Sequence, residues 1–125
     1  DVAPSRGLGD VYKRQDTDFN NSVMIKELNE NNFEENIKSG LKLVEFYATW
    51  CGYCQKQRPI LEELSKNNIW IGVVDSDKSP NLVKKYVVSG YPTFMLFKEG
   101  KVIAALSGFH EKSQLLARLM EHLHH

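Results

Sequence analysis

The chain has 125 residues, the size of one ordinary domain. Sixteen Lys plus Arg balance sixteen Asp plus Glu, which leaves no basic footprint for nucleic acid and no polybasic attraction to an anionic membrane. Hydrophobic residues at 42% and charged residues at 26% exclude wholesale disorder, collagen and coiled coil, and no apolar run nears the roughly 20 residues that span a bilayer.

Residues 1–20 hold Pro4, Gly7, Gly9 and scattered charges without apolar periodicity, and a flexible leader is expected there. The run Asp10-Val11-Tyr12-Lys13-Arg14-Gln15 resembles a translated transposon-end sequencing adapter, so the leader is kept out of the fold. A basic start followed by an apolar stretch, the mark of a signal peptide, is not found there. Residues 21–125 are expected to form a single domain.

Val23-Met24-Ile25 predicts a first short strand. Phe33 and Ile37, four apart within residues 32–38, predict a helix that Gly40 stops. Leu41 to Ala48 is almost continuously apolar, as a strand covered on both faces is, and only Glu45 interrupts it. Ile60, Leu61 and Leu64 predict a helix over residues 54–66, kinked by Pro59. A second buried strand is predicted over residues 69–74, and Ser79-Pro80 reads as the N-cap and first residue of a short helix. Thr93 to Phe97 and Val102 to Leu106 predict a hairpin whose turn, Lys98-Glu99-Gly100-Lys101, has a glycine available for positive φ. Leu115, Leu116, Leu119, Met120 and Leu123 mark a final helix. The order β-α-β-α-β-α-β-β-α implies an α/β fold: a mixed central β-sheet with helices on both faces.

Cys51 and Cys54 sit where a buried strand gives way to a helix. That placement points unpaired N–H groups and the positive end of the helix dipole at Cys51, which lowers a thiol pKa from about 8.5 to roughly 3.5–7.5. Cys54, one turn along, is expected to be the more buried, giving one accessible nucleophile and one shielded resolving thiol. Two other readings stand beside the redox dithiol. A structural zinc site needs four ligands, and three of the four histidines (His122, His124, His125) crowd the chain end while His110 stands alone. The other is a pair of inert core cysteines.

The context of the pair resembles the thioredoxin family. It consists of Val44-Glu45-Phe46-Tyr47-Ala48-Thr49-Trp50-Cys51-Gly52-Tyr53-Cys54, then Pro59, then Gly90-Tyr91-Pro92-Thr93-Phe94, and the likeness runs from about Val23 to Leu123. It implies the thioredoxin fold and a thiol–disulfide oxidoreductase that reduces protein disulfides through Cys51 as nucleophile and Cys54 as resolving thiol. It also implies a cis bond before Pro92 and a substrate groove around Trp50, Gly52, Tyr53, Tyr91, Pro92 and Gly108. A segment bound there as an added strand would pair with the backbone of Tyr91. The dithiol itself carries the electrons, so no cofactor is expected. The partners expected are protein disulfides and a reductase that recharges the dithiol, with the chain a cytoplasmic monomer.

The family's buried acid falls on Glu45. Burial is expected to raise its pKa and fit it to take the Cys54 proton through a water; strand alternation could instead aim it at solvent. Thioredoxins proper usually carry aspartate there and the protein disulfide isomerase branch glutamate. The lysine that many thioredoxins place near this acid corresponds to Val73, so Glu45 is expected to lack a charged partner. Tyr53 replaces the usual proline and restores an N–H near the Cys51 sulfur. That predicts a potential between about −270 mV, the thioredoxin value, and about −180 mV, that of protein disulfide isomerase. Cys-Gly-Tyr-Cys is also similar to bacterial periplasmic disulfide isomerases. An extracytoplasmic oxidase or isomerase served by a membrane electron donor is therefore the alternative function, and a non-catalytic binding module a third.

Overall fold

Strand alternation explains how a nearly unbroken apolar run becomes the middle of a two-faced sheet. In β2 (Leu41–Tyr47) the even residues Val44 and Phe46 turn to one face and the odd residues Leu43, Glu45 and Tyr47 to the other. The computed structural model describes residues 25–123. The leader expected over residues 1–20, and Val23 and Met24 of the first expected strand, lie outside the described residues.

The other elements are β1 (Ile25–Leu28), α1 (Phe33–Ile37), α2 (Gly52–Ser65), β3 (Ile71–Asp75), α3 (Pro80–Lys85), β4 (Thr93–Lys98), β5 (Lys101–Ser107) and α4 (Lys112–Leu123). They follow one another in the predicted order. The sheet runs β1-β3-β2-β4-β5, with β1, β3 and β2 parallel and β4 and β5 antiparallel. Helical crossovers make the parallel half; the predicted hairpin makes the antiparallel half. At its turn Glu99 (φ 52°) and Gly100 (φ 86°) both take the left-handed conformation that suits the twist of the strands.

One face packs Phe33 and Ile37 of α1 and Leu82 of α3 against Val44, Phe46, Val74, Met95 and Phe97. Its rings interlock: Phe33 and Tyr86 each meet Phe97 edge-on, at 5.6 and 5.4 Å. The other face packs Leu61 and Leu64 of α2 and Leu115 and Leu119 of α4 against Leu43, Ile71, Val73, Phe94 and Leu96. Each fully buried Leu, Ile or Phe contributes roughly 1.5–3 kcal/mol, so both faces matter to the fold. Where β3 pairs with β1 the fit is tight: a Cβ on Gly72 would lie 2.6 Å from Leu28 Cδ1 and 2.9 Å from the Trp70 ring.

Two local expectations change. α2 begins at Gly52, two residues before the predicted start, with Pro59 inside it as expected. Ser79 stands at the N-cap of α3, but its hydroxyl makes no capping bond; Pro80 and the backbone start that helix. Leaving β2 at Tyr47 and entering α2 at Gly52, the chain carries Thr49, Trp50 and Cys51 over the end of the sheet.

Candidate active site

Cys51 is the N-cap of α2, with extended backbone (φ −86°, ψ 116°), and its Sγ accepts the Cys54 N–H at 3.3 Å. This is the oriented donor that the strand-to-helix junction predicts. The N–H that makes this bond is that of Cys54. On its far side the Cys51 thiol faces the Tyr91 carbonyl oxygen at 3.7 Å. β4 starts only at Thr93, so the sheet does not pair that carbonyl, and the thiol occupies it. The Tyr91–Pro92 bond is cis.

Both cysteines are free thiols, and both are buried, at 8% and 6% exposure. The expected contrast in accessibility is therefore slight, because Ala48, Tyr47 and Tyr91 pack around both sulfurs. A contrast in chemistry replaces it. Burial, then the hydrogen bond with Cys51, push the Cys54 thiol up to about 12. The nearby Glu45 charge adds to this.

Glu45 is 1% exposed, which excludes the solvent-facing orientation. Its neighbours across the ladder are Val73 and Phe94, and its Oε2 has no hydrogen-bond partner among the described residues. Burial raises its pKa from the ordinary 4.5 to about 7. Glu45 has no ion-pair partner among the described residues, but a more distant charge acts on it. The guanidinium of Arg58, on α2, opposes the rise, and Glu27 of β1 adds to it. Cation and acid lie 13 residues apart, on different elements, so Val73 at the lysine position gives no sign of this charge.

The surface around the sulfurs is built from the predicted aromatic residues. Trp50 is 67% exposed and Tyr53 63%, so neither is core. Trp50 Nε1 donates to Asp77 Oδ2 at 3.1 Å, and the ring meets Tyr91 edge-on at 5.8 Å. Gly52 opens onto free space, with no atom within 4 Å of where a Cβ would stand. Gly108 (φ 87°) donates its N–H to the Pro92 carbonyl at 2.8 Å, which brings the loop after β5 beside the cis-proline. Of the predicted groove residues, Tyr91 packs against the cysteines, Trp50, Gly52 and Tyr53 flank Cys51 along the chain, and Gly108 meets Pro92.

Three contributors were missed. Asp77 holds the Trp50 ring, and the Arg58 charge acts on Glu45. Gln57, fully buried on α2, donates to the His110 carbonyl at 2.8 Å and accepts the His110 N–H at 2.9 Å. These two bonds tie the Gly108 loop to the helix that carries the cysteines. The signals were faint: a polar residue within a helical apolar stripe, and an arginine beside the helix proline.

An N-capping cysteine thiol, a second thiol one turn on that holds its proton, and a cis-proline loop against the first sulfur define a dithiol–disulfide exchange protein. The thioredoxin family model matches residues 24–121. The chain is 40% identical over 104 residues to thioredoxin of Staphylococcus haemolyticus, covering 81% of this chain and 100% of that one. It is 38% identical over 101 residues to thioredoxin of Chlamydia trachomatis, covering 79% and 99%. The crystal structure of a thioredoxin from Malassezia sympodialis superposes with a TM-score of 0.71 at 25% identity, covering 80% of this chain and 91% of that one. The chain belongs to the thioredoxin family. It is a thiol–disulfide oxidoreductase that works by dithiol exchange, with protein disulfides as substrates and a reductase as partner, and the family needs no cofactor beyond the dithiol.

Proposed function

We propose that the chain reduces protein disulfides in the cytoplasm, as a monomer, with Cys51 attacking and Cys54 resolving. The observation that carries this order is the asymmetry between the thiols: Cys51 Sγ receives a helix N–H, whereas Cys54 holds its proton to about pH 12. The Cys51 thiolate attacks one sulfur of the substrate disulfide, forming a mixed disulfide and expelling the first substrate thiolate. Glu45 then accepts the Cys54 proton through a bridging water. The Cys54 thiolate attacks Cys51 Sγ, closing the Cys51–Cys54 disulfide and releasing the second substrate thiolate. Two electrons have passed to the substrate, and the reductase returns two. The cytosol suits this direction because it keeps dithiols reduced.

Substrate docks on Trp50, Gly52, Tyr53, Tyr91, Pro92 and Gly108. The exposure of Trp50 and Tyr53 supports this, since large aromatic rings left in water beside a reactive sulfur offer contact area at little entropic cost. An extended substrate segment would take over the Tyr91 carbonyl from the Cys51 thiol as that thiol reacts. The test is insulin-disulfide reduction. Cys51→Ser is expected to abolish turnover, and Cys54→Ser to stop it after one attack with a trapped mixed disulfide. Turnover by Cys51→Ser, or trapping through Cys54 in its place, would reverse the assigned roles. Sedimentation of the reduced protein as a dimer would overturn the monomer.

A further inference from the structure

The lysine usual beside the buried acid is replaced here by Val73, and the cation comes from another element. Arg58 stands four residues after Cys54 on α2, so both side chains leave the same side of the helix, one turn apart. That side packs on the sheet face where Glu45 and Tyr47, two apart on β2, point the same way. The Arg58 guanidinium carbon lies 5.2 Å from the centre of the Tyr47 ring. Together Tyr47, Ala48, Thr49, Cys54, Gln55 and Arg58 line a groove of about 350 Å³. Within this corner two buried polar atoms go without hydrogen-bond partners, Glu45 Oε2 and Arg58 Nε. A half-buried guanidinium with an unpaired N–H, over the ring of Tyr47 two residues from Glu45 on the same strand, exerts its charge through a poorly screened medium.

We propose that Arg58 is a positioning residue for the resolving step, a cation moved from strand to helix that keeps Glu45 ionised when Cys54 must lose its proton. Building on the reading of Glu45 as proton acceptor, it assigns the charge balance of that acceptor to the helix carrying the resolving thiol. The other groups around Glu45 cannot serve. Glu27 of β1, hydrogen-bonded to the Tyr47 hydroxyl at 2.9 Å, is an acid and works against ionisation. Asp75 at the end of β3 is another acid, and Cys54 is the proton donor itself. From β3 and β4 the ladder neighbours Val73 and Phe94 are apolar, as are Leu115 and Leu119 of α4 on the same face; Arg118 of α4 is engaged by Glu121 at 3.7 Å, and the His110 ring meets the edge of Phe94. Arg58 is the cation of this corner among the described residues.

The test follows the Glu45 carboxyl by NMR in the reduced protein labelled with carbon-13 at glutamate, together with the rate at which Cys54 clears a mixed disulfide preformed on Cys51. Arg58→Gln and Arg58→Met both remove the charge, the second keeping an apolar stem over Tyr47. Either folded variant is expected to move the Glu45 midpoint up by about one pH unit, the effect of losing one nearby opposite charge. Resolution should slow several-fold at pH 7 and recover by pH 9, where Glu45 ionises without help; Arg58→Lys should restore most of both. An unchanged Glu45 midpoint in both charge-removing variants would overturn the proposal while leaving Glu45 as acceptor intact. Glu45→Gln resolving at the wild-type rate would instead overturn the acceptor reading, and the role given to Arg58 with it.

Discussion

Replacing Glu45 with glutamine should make the reduced protein gain stability relative to wild type as pH rises from acid to alkaline. The folded carboxyl titrates at about 7 instead of the ordinary 4.5, chiefly because burial strips water from its charged form. At about 1.4 kcal/mol per tenfold change in proton affinity, that difference is worth roughly 3 kcal/mol. The sign follows from linkage. The folded value lies above the unfolded one, so the contribution is fully favourable below pH 4.5, declines as pH rises, and is lost above pH 7. The substituted amide would have nearly the same shape as the carboxyl and no charge to desolvate. Its N–H, buried where Oε2 now has no partner, costs on the order of 1–3 kcal/mol at every pH, which moves the curve without changing its slope. Urea unfolding of both proteins under reducing conditions, from pH 4.5 to 8.5, is the assay. The stability difference, variant minus wild type, should grow by roughly 3 kcal/mol across that range, with most of the change between pH 5 and 7. A difference that stays flat with pH would show that Glu45 is not charged and buried at neutrality, and the account of its role would fall.

The same acid should shape the kinetics. Resolution of the mixed disulfide should rise with pH through a midpoint near 7, and Glu45→Gln should lose that inflection and run about 10²-fold slower at pH 8; stopped-flow measurement on a preformed mixed disulfide checks this. Alkylation with iodoacetamide at pH 8 should modify Cys51 and spare Cys54, whose proton is held to about pH 12, as peptide mapping would report. Trp50→Ala removes an exposed ring and its bond to Asp77, so KM for a folded protein disulfide should rise several-fold while the rate with a small aromatic disulfide changes little. Gln57→Ala strips two hydrogen bonds from the His110 backbone, with an expected cost of about 2–4 kcal/mol in denaturant unfolding and faster amide exchange around Gly108.

The element order was legible because it rests on short-range pattern. Apolar runs, helical spacing, Gly40, Pro80 and the Glu99-Gly100 turn each act over a few residues, and all appear in the fold. The dithiol was legible for the same reason. A spacing of three at a strand-to-helix junction brings the Cys54 N–H onto Cys51 Sγ whatever the rest of the chain does. Tertiary structure decided what the charges do. Whether Glu45 faced water depended on α2 and α4 covering its side of the sheet. The Asp77 anchor of Trp50 and the Gln57 clamp on His110 pair residues 27 and 53 positions apart, and the positive charge acting on Glu45 comes from 13 positions away. Contacts at such separations are made by the crossovers that stack helices on strands, and no local periodicity encodes them. The near-equal burial of the two sulfurs has the same origin, since Tyr91 arrives from 40 residues away to cover Cys51. Backbone geometry is set by neighbours along the chain, whereas the electrostatics of a buried site are set by whichever elements exclude its water.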